Sequence, residues 1–188
     1  MRIRRPEPAV AFRQAEWIVA MEPWLSLGYQ RARLARYLRR MARAKQVLVA
    51  EDKGNVLGVI VCQSEFLLGP FIALLAVRAE AAGRGIGRAL VAQVEKETFK
   101  TRRWLYVSSD STNQAAARFY TKLGFARVAR LPGLIREAST EILWRKPRPT
   151  AAVNCDGNPG RVPKPSAPPA PPPPPSLRSA SRDGPRRA

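Results

Sequence analysis

An α/β fold, a single mixed sheet with helices on both faces, is what residues 1–146 predict. Three observations carry it. Apolar runs of strand length alternate with longer stretches of helical apolar spacing. One of these runs, "FIALLAV" (71–77), is apolar throughout, as expected of a central strand covered on both sides. Behind it, "AAGRGIGRAL" (81–90) sets three glycines between that strand and a helix-like segment.

The elements follow in chain order. "MRIRR" (1–5) reads as a short basic edge strand, and "AVAFRQAEWIVAM" (9–21) has helical apolar spacing. In "RARLARYLRRMARA" (31–44), Leu34, Tyr37, Leu38 and Met41 fall at i, i+3, i+4 and i+7, the buried stripe of a second helix. Its opposite face is rich in arginine and reads as solvated, with nucleic-acid contact as the other reading. "QVLVAEDKGNVLGVIVCQ" (46–63) is a hairpin, 47–51 and 56–63, turning at "DKGN". After the glycines a helix is expected over 85–99, then the strand "RWLYV" (103–107), with "SSD" (108–110) read as a polar loop. "NQAAARFYTKLGF" (113–125) is a helix closed by Gly124. "ARVARL" (126–131) and "TEILWRK" (140–146) are the last strands. No internal repeat is evident.

Residues 147–188 have a different composition. They hold 13 of the 18 prolines and end in "PSAPPAPPPPPSLRSASRDGPRRA". Such a stretch has too little apolar surface to fold and is expected to be a disordered, partly polyproline-like tail. The expected division is therefore a folded domain over 1–146 and a tail over 147–188.

Composition narrows the chemistry. The chain has 188 residues, 45% of them hydrophobic, enough for one core of ordinary size. No apolar stretch reaches the roughly 18 residues of a membrane span. "MRIRRPEP" is basic but leads into no apolar h-region, so no secretory signal is expected and the cytoplasm is the default location. The two cysteines, Cys62 and Cys155, lack metal-ligand spacing, so neither a metal site nor a disulfide framework is expected. Histidine is absent, which removes histidine-based triads and zinc motifs. The net charge is +19; residues 1–146 alone hold 26 basic and 12 acidic residues, a net of +14. That field favours polyanions, phosphorylated cofactors among them.

The glycine stretch has a physical use. The first N–H groups of a helix lack intrahelical partners, and the helix dipole adds positive potential there. Glycines let a phosphate approach that bare backbone, and Arg84 and Arg88 add charge. No Gly-Lys pair of a Walker A loop is present. A dinucleotide fingerprint would need a third glycine where Arg88 stands. Close helix–strand packing is the remaining structural reading of the glycines.

"LLAVRAEAAGRGIGRALV" (74–91) resembles motif A of the GNAT family of N-acetyltransferases, and "NQAAARFYTKLGF" resembles its motif B. The resemblance spans nearly all of 1–146. It implies a mixed, mostly antiparallel central sheet flanked by helices on both faces. It also implies an acetyl-CoA site in a cleft where "FIALLAV" and "RWLYV" splay apart. Leu75, Ala76 and Val77 would pair with the pantetheine arm. The N–H groups of Gly83, Arg84, Gly85, Ile86, Gly87 and Arg88 would cradle the pyrophosphate. The family's Gln/Arg position falls on Ala82, a departure that removes one side-chain contact. Asn113 would bond the pantetheine. Tyr120, seven residues on and so on the same helix face, would serve the leaving thiolate.

The implied reaction is direct transfer of acetyl from acetyl-CoA to a primary amine of a small molecule, peptide or protein. The position of a family glutamate falls on Tyr106, so the base is sought elsewhere: Glu65 first, acting through water, then Asp110. Trp24, Tyr29, Leu134 and Ile135 either line the acceptor cleft or close the core. The basic charge argues against polyamine or Lys-rich acceptors. A monomer or homodimer is expected, with no membrane or nucleic acid as partner. A catalytically idle acyl-CoA-binding domain and a basic nucleic-acid-binding module are the other readings.

Overall fold

The structure, a computed structural model, describes residues 1–149. The expected tail from Thr150 on, Cys155 included, lies outside the described residues.

The described residues form seven strands, five α-helices and one 3₁₀ turn. The first half runs β1 (Arg2–Arg4), α1 (Pro8–Arg13), α2 (Ala15–Val19), α3 (Arg31–Arg43), β2 (Val47–Asp52), β3 (Asn55–Phe66) and β4 (Gly69–Val77). The second runs from a 3₁₀ turn (Ala79–Ala81) through α4 (Ile86–Thr98), β5 (Trp104–Asp110), α5 (Gln114–Lys122), β6 (Ala126–Pro132) and β7 (Thr140–Pro147). The strands form one sheet in the order β1-β2-β3-β4-β5-β7-β6. Every neighbouring pair is antiparallel except β4 and β5, which run parallel at the centre. The expected mixed, mostly antiparallel sheet with helices on both faces is what the chain forms.

Strand alternation distributes two cores. Val47, Val49, Val59 and Val61 point to one face, against Ala11, Ile18, Leu34 and Leu38 of the first three helices. Leu48 and Ile60 point to the other face, against Leu90, Val94, Tyr120 and Trp144. Burying one such aliphatic side chain contributes about 1.5–3 kcal/mol, so each valine or leucine on these alternating positions fixes the register.

Two expectations need correction. The single helix over 9–21 is broken at Gln14. Its buried side-chain amide donates to the Val10 carbonyl at 2.8 Å, and its amide oxygen accepts from the Trp17 indole at 2.9 Å. A side chain that takes the i−4 carbonyl competes with the helix ladder. The "SSD" loop is instead the end of β5, paired through Ser108↔Leu143, Ser109↔Ile142 and Asp110↔Glu141. Ser109 is buried there because the Trp144 indole donates to its hydroxyl at 3.0 Å. A polar residue sits in a buried strand once its hydrogen bond is met.

One irregularity opens the sheet. β3 and β4 pair through Cys62↔Ile72 and then Val61↔Leu74, so Ala73 is an extra residue on β4. This bulge bends β4. The parallel ladder to β5 consists of Phe71↔Tyr106 and Ile72↔Val107 and stops where the bulge begins.

Candidate functional site

From Ala73 to Val77, β4 keeps β3 on one side, with Ile60↔Leu75, Val59↔Ala76 and Gly58↔Val77 in register, and has no strand on the other. Its β5-facing edge therefore offers backbone hydrogen-bonding groups to a ligand, as the edge of a sheet does. Leu75, Ala76 and Val77 line a cavity of about 610 Å³ at this opening.

The glycine turn forms the next wall. Gly83, Gly85, Ile86, Gly87 and Arg88 line the same cavity. Gly85 is the N-cap of α4, with φ of 76° and no side-chain cap. Gly83 has φ of 75°, so both residues occupy the left-handed region that glycine enters without strain. A Cβ built at either position meets nothing within 4 Å. The two glycines thus stand in open space and are not there for helix–strand packing. Close packing is served elsewhere: a Cβ on Gly58 of β3 would lie 2.8 Å from Ile86 and 3.0 Å from Leu90.

Asn113 and Tyr120 of the third wall also line the cavity. Asn113 is the N-cap of α5, its Oδ1 accepting from the Ala116 N–H at 2.9 Å, which leaves its NH₂ for another partner. Tyr120 is 6% exposed and stands among Phe119, Phe125 and Trp144 at ring distances of 5.2, 5.5 and 6.3 Å. Burial raises the pKa of its phenol, because the phenolate would be desolvated. The hydroxyl therefore stays protonated through the neutral range.

Some expected residues lie elsewhere. Arg84 is exposed and turned toward Asp52 of the β2–β3 hairpin, 3.9 Å away, and is not part of the cavity wall. Glu65 is exposed at the end of β3, beside the turn to β4, and lines no cavity described here. Asp110 accepts from the Thr112 hydroxyl at 2.6 Å and from its N–H at 2.7 Å. Those bonds, the hydroxyl first, hold its carboxyl below the usual range, as befits a turn-forming acid. Tyr106 is buried with its ring edge against Phe66.

One residue was missed. Glu22, in the connection between α2 and α3, is the carboxylate among the described residues that lines the large cavity. Its Oε2 accepts from the Ser26 hydroxyl at 2.5 Å and from the Ser26 N–H at 3.3 Å. Nothing local marked it: "MEPW" carries no motif, and only the fold carries this loop to the mouth of the β4–β5 opening.

A second cavity, of about 500 Å³, lies against α3. Trp24 lines both cavities, and Ala73 and Leu74 of β4 wall the second one just before Leu75 walls the first. Tyr29 and Ile135 line it, whereas Leu134 is exposed outside it. Arg136, from the β6–β7 connection, donates to the Ser26 carbonyl and so ties the two flanking loops together.

Cys62 lies outside both cavities, half-buried near the other end of the sheet. Burial first, then the Glu97 carboxylate, pushes its thiol up to about 12, too high for a thiolate nucleophile at neutral pH. Among the described residues no cluster of His, Cys, Asp and Glu is arranged to hold a metal, and no helix is long and apolar enough to cross a membrane.

Comparisons with known proteins agree with this geometry. The chain is 33% identical over 105 residues to an uncharacterized N-acetyltransferase of Methanocaldococcus jannaschii, an alignment covering 55% of this chain and 67% of that one. It is 33% identical over 89 residues to N-alpha-acetyltransferase 30 of Schizosaccharomyces pombe, covering 44% of this chain and 59% of the relative. A protein from Salmonella typhimurium, solved with its cofactor acetyl-CoA, shares the fold: TM-score 0.62 at 19% identity, over 81% of this chain and 96% of that one. Residues 9–125 match the Acetyltransferase (GNAT) family, so the chain belongs to the GNAT family of acetyltransferases.

Proposed function

We propose that the protein is an acetyl-CoA-dependent N-acetyltransferase whose cofactor lies in the cavity between β4 and β5. The observation that carries this reading is the open space over Gly83 and Gly85 at the N-terminus of α4. The first-turn N–H groups of a 13-residue helix face a volume that no side chain fills. Together with Arg88 they suit a pyrophosphate, and Ala82 costs only one side-chain contact because the cradle is backbone. The unpaired edge of Leu75, Ala76 and Val77 suits an extended amide chain, and the Asn113 amide adds a donor beside it. Bound acetyl-CoA supplies the thioester whose acetyl group moves to the amine.

The chain's own part is positioning and proton handling. In the overall change an N–C bond forms, a C–S bond breaks, the amine loses a proton and the thiolate gains one. Glu22 is the carboxylate placed to receive the ammonium proton, with Ser26 fixing one of its oxygens. Glu65, exposed and outside the cavity, would need intervening water. Tyr120 stabilises the departing sulfur. Its raised pKa makes full proton transfer to a thiolate uphill, so the phenol acts by donating a hydrogen bond while water completes the protonation.

Titration calorimetry of acetyl-CoA into the full chain is the direct test, followed by thiol release on a panel of amines. Binding in the micromolar range with amine-dependent release supports the enzyme. Binding without release leaves an idle acyl-CoA-binding domain. Absence of binding at low salt removes the reading.

A further inference from the structure

The cavity against α3 has an unusual lining for a site that must take an amine. Trp24, Leu27, Tyr29, Tyr37, Leu74 and Ile135 give it aromatic and aliphatic walls, and Gln30 and Arg33 of the α3 start add polar groups. Its one charged residue is Arg33, and no carboxylate lines it. None of the ion pairs among the described residues uses Arg33. Tyr37, one turn along the same helix face, has a hydroxyl that accepts from the Gln63 Nε2 at 3.3 Å. Arg136 adds a second positive charge where it closes the neighbouring loops. Arg33 is exposed at the rim of the cavity, and its planar guanidinium can pair with a carboxylate or phosphate through bidentate, charge-assisted hydrogen bonds. The same wall repels any cationic group beyond the reacting amine. The carboxylate suited to an ammonium, Glu22, lies instead across Trp24 in the adjoining cavity.

Resting on the acetyltransferase reading, we propose that this cavity is the acceptor subsite. It selects an amine that has an apolar or aromatic body and also bears an anionic group, and Arg33 reads that anion. The amine end points toward Trp24 and Glu22, the anionic end toward α3. The anion has two sources: the carboxylate of a free amino acid, or an acidic side chain next to a peptide's amino terminus.

The test uses the full chain and two matched pairs of acceptors. Phenylalanine is compared with phenylalaninamide, and phenylalanylglutamate amide with phenylalanylglutamine amide; spermidine is the polycationic control. The expected result is a kcat/KM at least tenfold higher for the anionic member of one pair, with spermidine poorest. The pair that shows the preference identifies the source. Arg33→Gln brings the two members of that pair together, mainly through KM, and Arg33→Lys restores part of the difference. Acetyl-CoA binding, measured on every variant, reports on folding and on the cofactor site. Equal rates for both members of both pairs, a preference for spermidine, or a preference that survives Arg33→Gln overturns the proposal while the acetyltransferase reading stands. Failure of the wild-type chain to bind acetyl-CoA overturns both.

Discussion

The two cavities that meet at Trp24 are built by different means. The one between β4 and β5 owes its opening to backbone: a bulge frees a strand edge, and glycines bare a helix N-terminus. Most of its wall comes from three short stretches of chain: 75–77, the glycine turn on either side of Arg84, and the face of α5 from Asn113 to Tyr120. The one against α3 is made of side chains. They come from the α2–α3 connection, from α3, from β4 and from the β6–β7 connection, a span of chain from Trp24 to Ile135. A backbone-built site recognises what many ligands share, phosphates and amides. A side-chain-built site recognises what distinguishes one acceptor from another.

The sharpest way to break this contrast is Gly85→Val. A β-branched residue must adopt a left-handed φ there, costing about 1–2 kcal/mol, and its side chain enters the space over the helix end. Acetyl-CoA affinity should fall by about 100-fold or more, read by calorimetry, while acceptor binding in the second cavity persists. Retention of full affinity would mean that the open space over the glycines is not a ligand site.

Tyr120→Phe probes the seam between recognition and chemistry. It should leave acetyl-CoA binding nearly intact and lower kcat by about 100-fold. Because burial raises its pKa, the phenol should contribute no descending alkaline limb to the wild-type rate below about pH 10. A limb near neutral pH that vanishes in the variant would contradict the hydrogen-bond role.

Glu22→Gln tests whether the two cavities share one catalytic group. At neutral pH kcat should fall about 10- to 100-fold. The deficit should narrow as the pH rises past the acceptor amine's own pKa, where a base is no longer needed. A deficit constant with pH would assign Glu22 to loop structure through Ser26.

The smallest effect concerns neither cavity. Arg5 donates to Glu97 at 2.6 Å, and this bond holds the carboxyl below its ordinary 4.5. A lowered folded pKa contributes stability above 4.5, and that contribution is lost as the pH falls through the lower folded value. The pair is partly solvated, so Arg5→Ala should cost no more than about 0.5 kcal/mol above that pH, and less in high salt, by denaturant unfolding.

The same contrast explains what could be read in advance. Strand and helix positions came from apolar spacing, which depends on local periodicity. The errors came where a side chain found a distant or unexpected partner. Ser109 could enter β5 only because Trp144, 35 residues on, receives it. Gln14 broke a helix by turning onto Val10. The Arg84 side chain, whose charge was expected at the glycine turn, also lies 3.9 Å from Asp52 of a hairpin that precedes it, a neighbour no local pattern reveals.

By itself the sequence determined the sheet's composition, the order of its elements and the strand–glycine–helix turn, because these depend on neighbours a few residues apart. The tertiary structure alone decided that β4 bulges at Ala73, that Glu22 rather than Glu65 reaches the cavity, and that Arg33, with no ion-pair partner among the described residues, stands at the rim of a cavity that no carboxylate lines. Those features depend on which side chains a fold brings together across the chain. No local periodicity encodes that, because the contacts exist only once two cores have closed around one sheet.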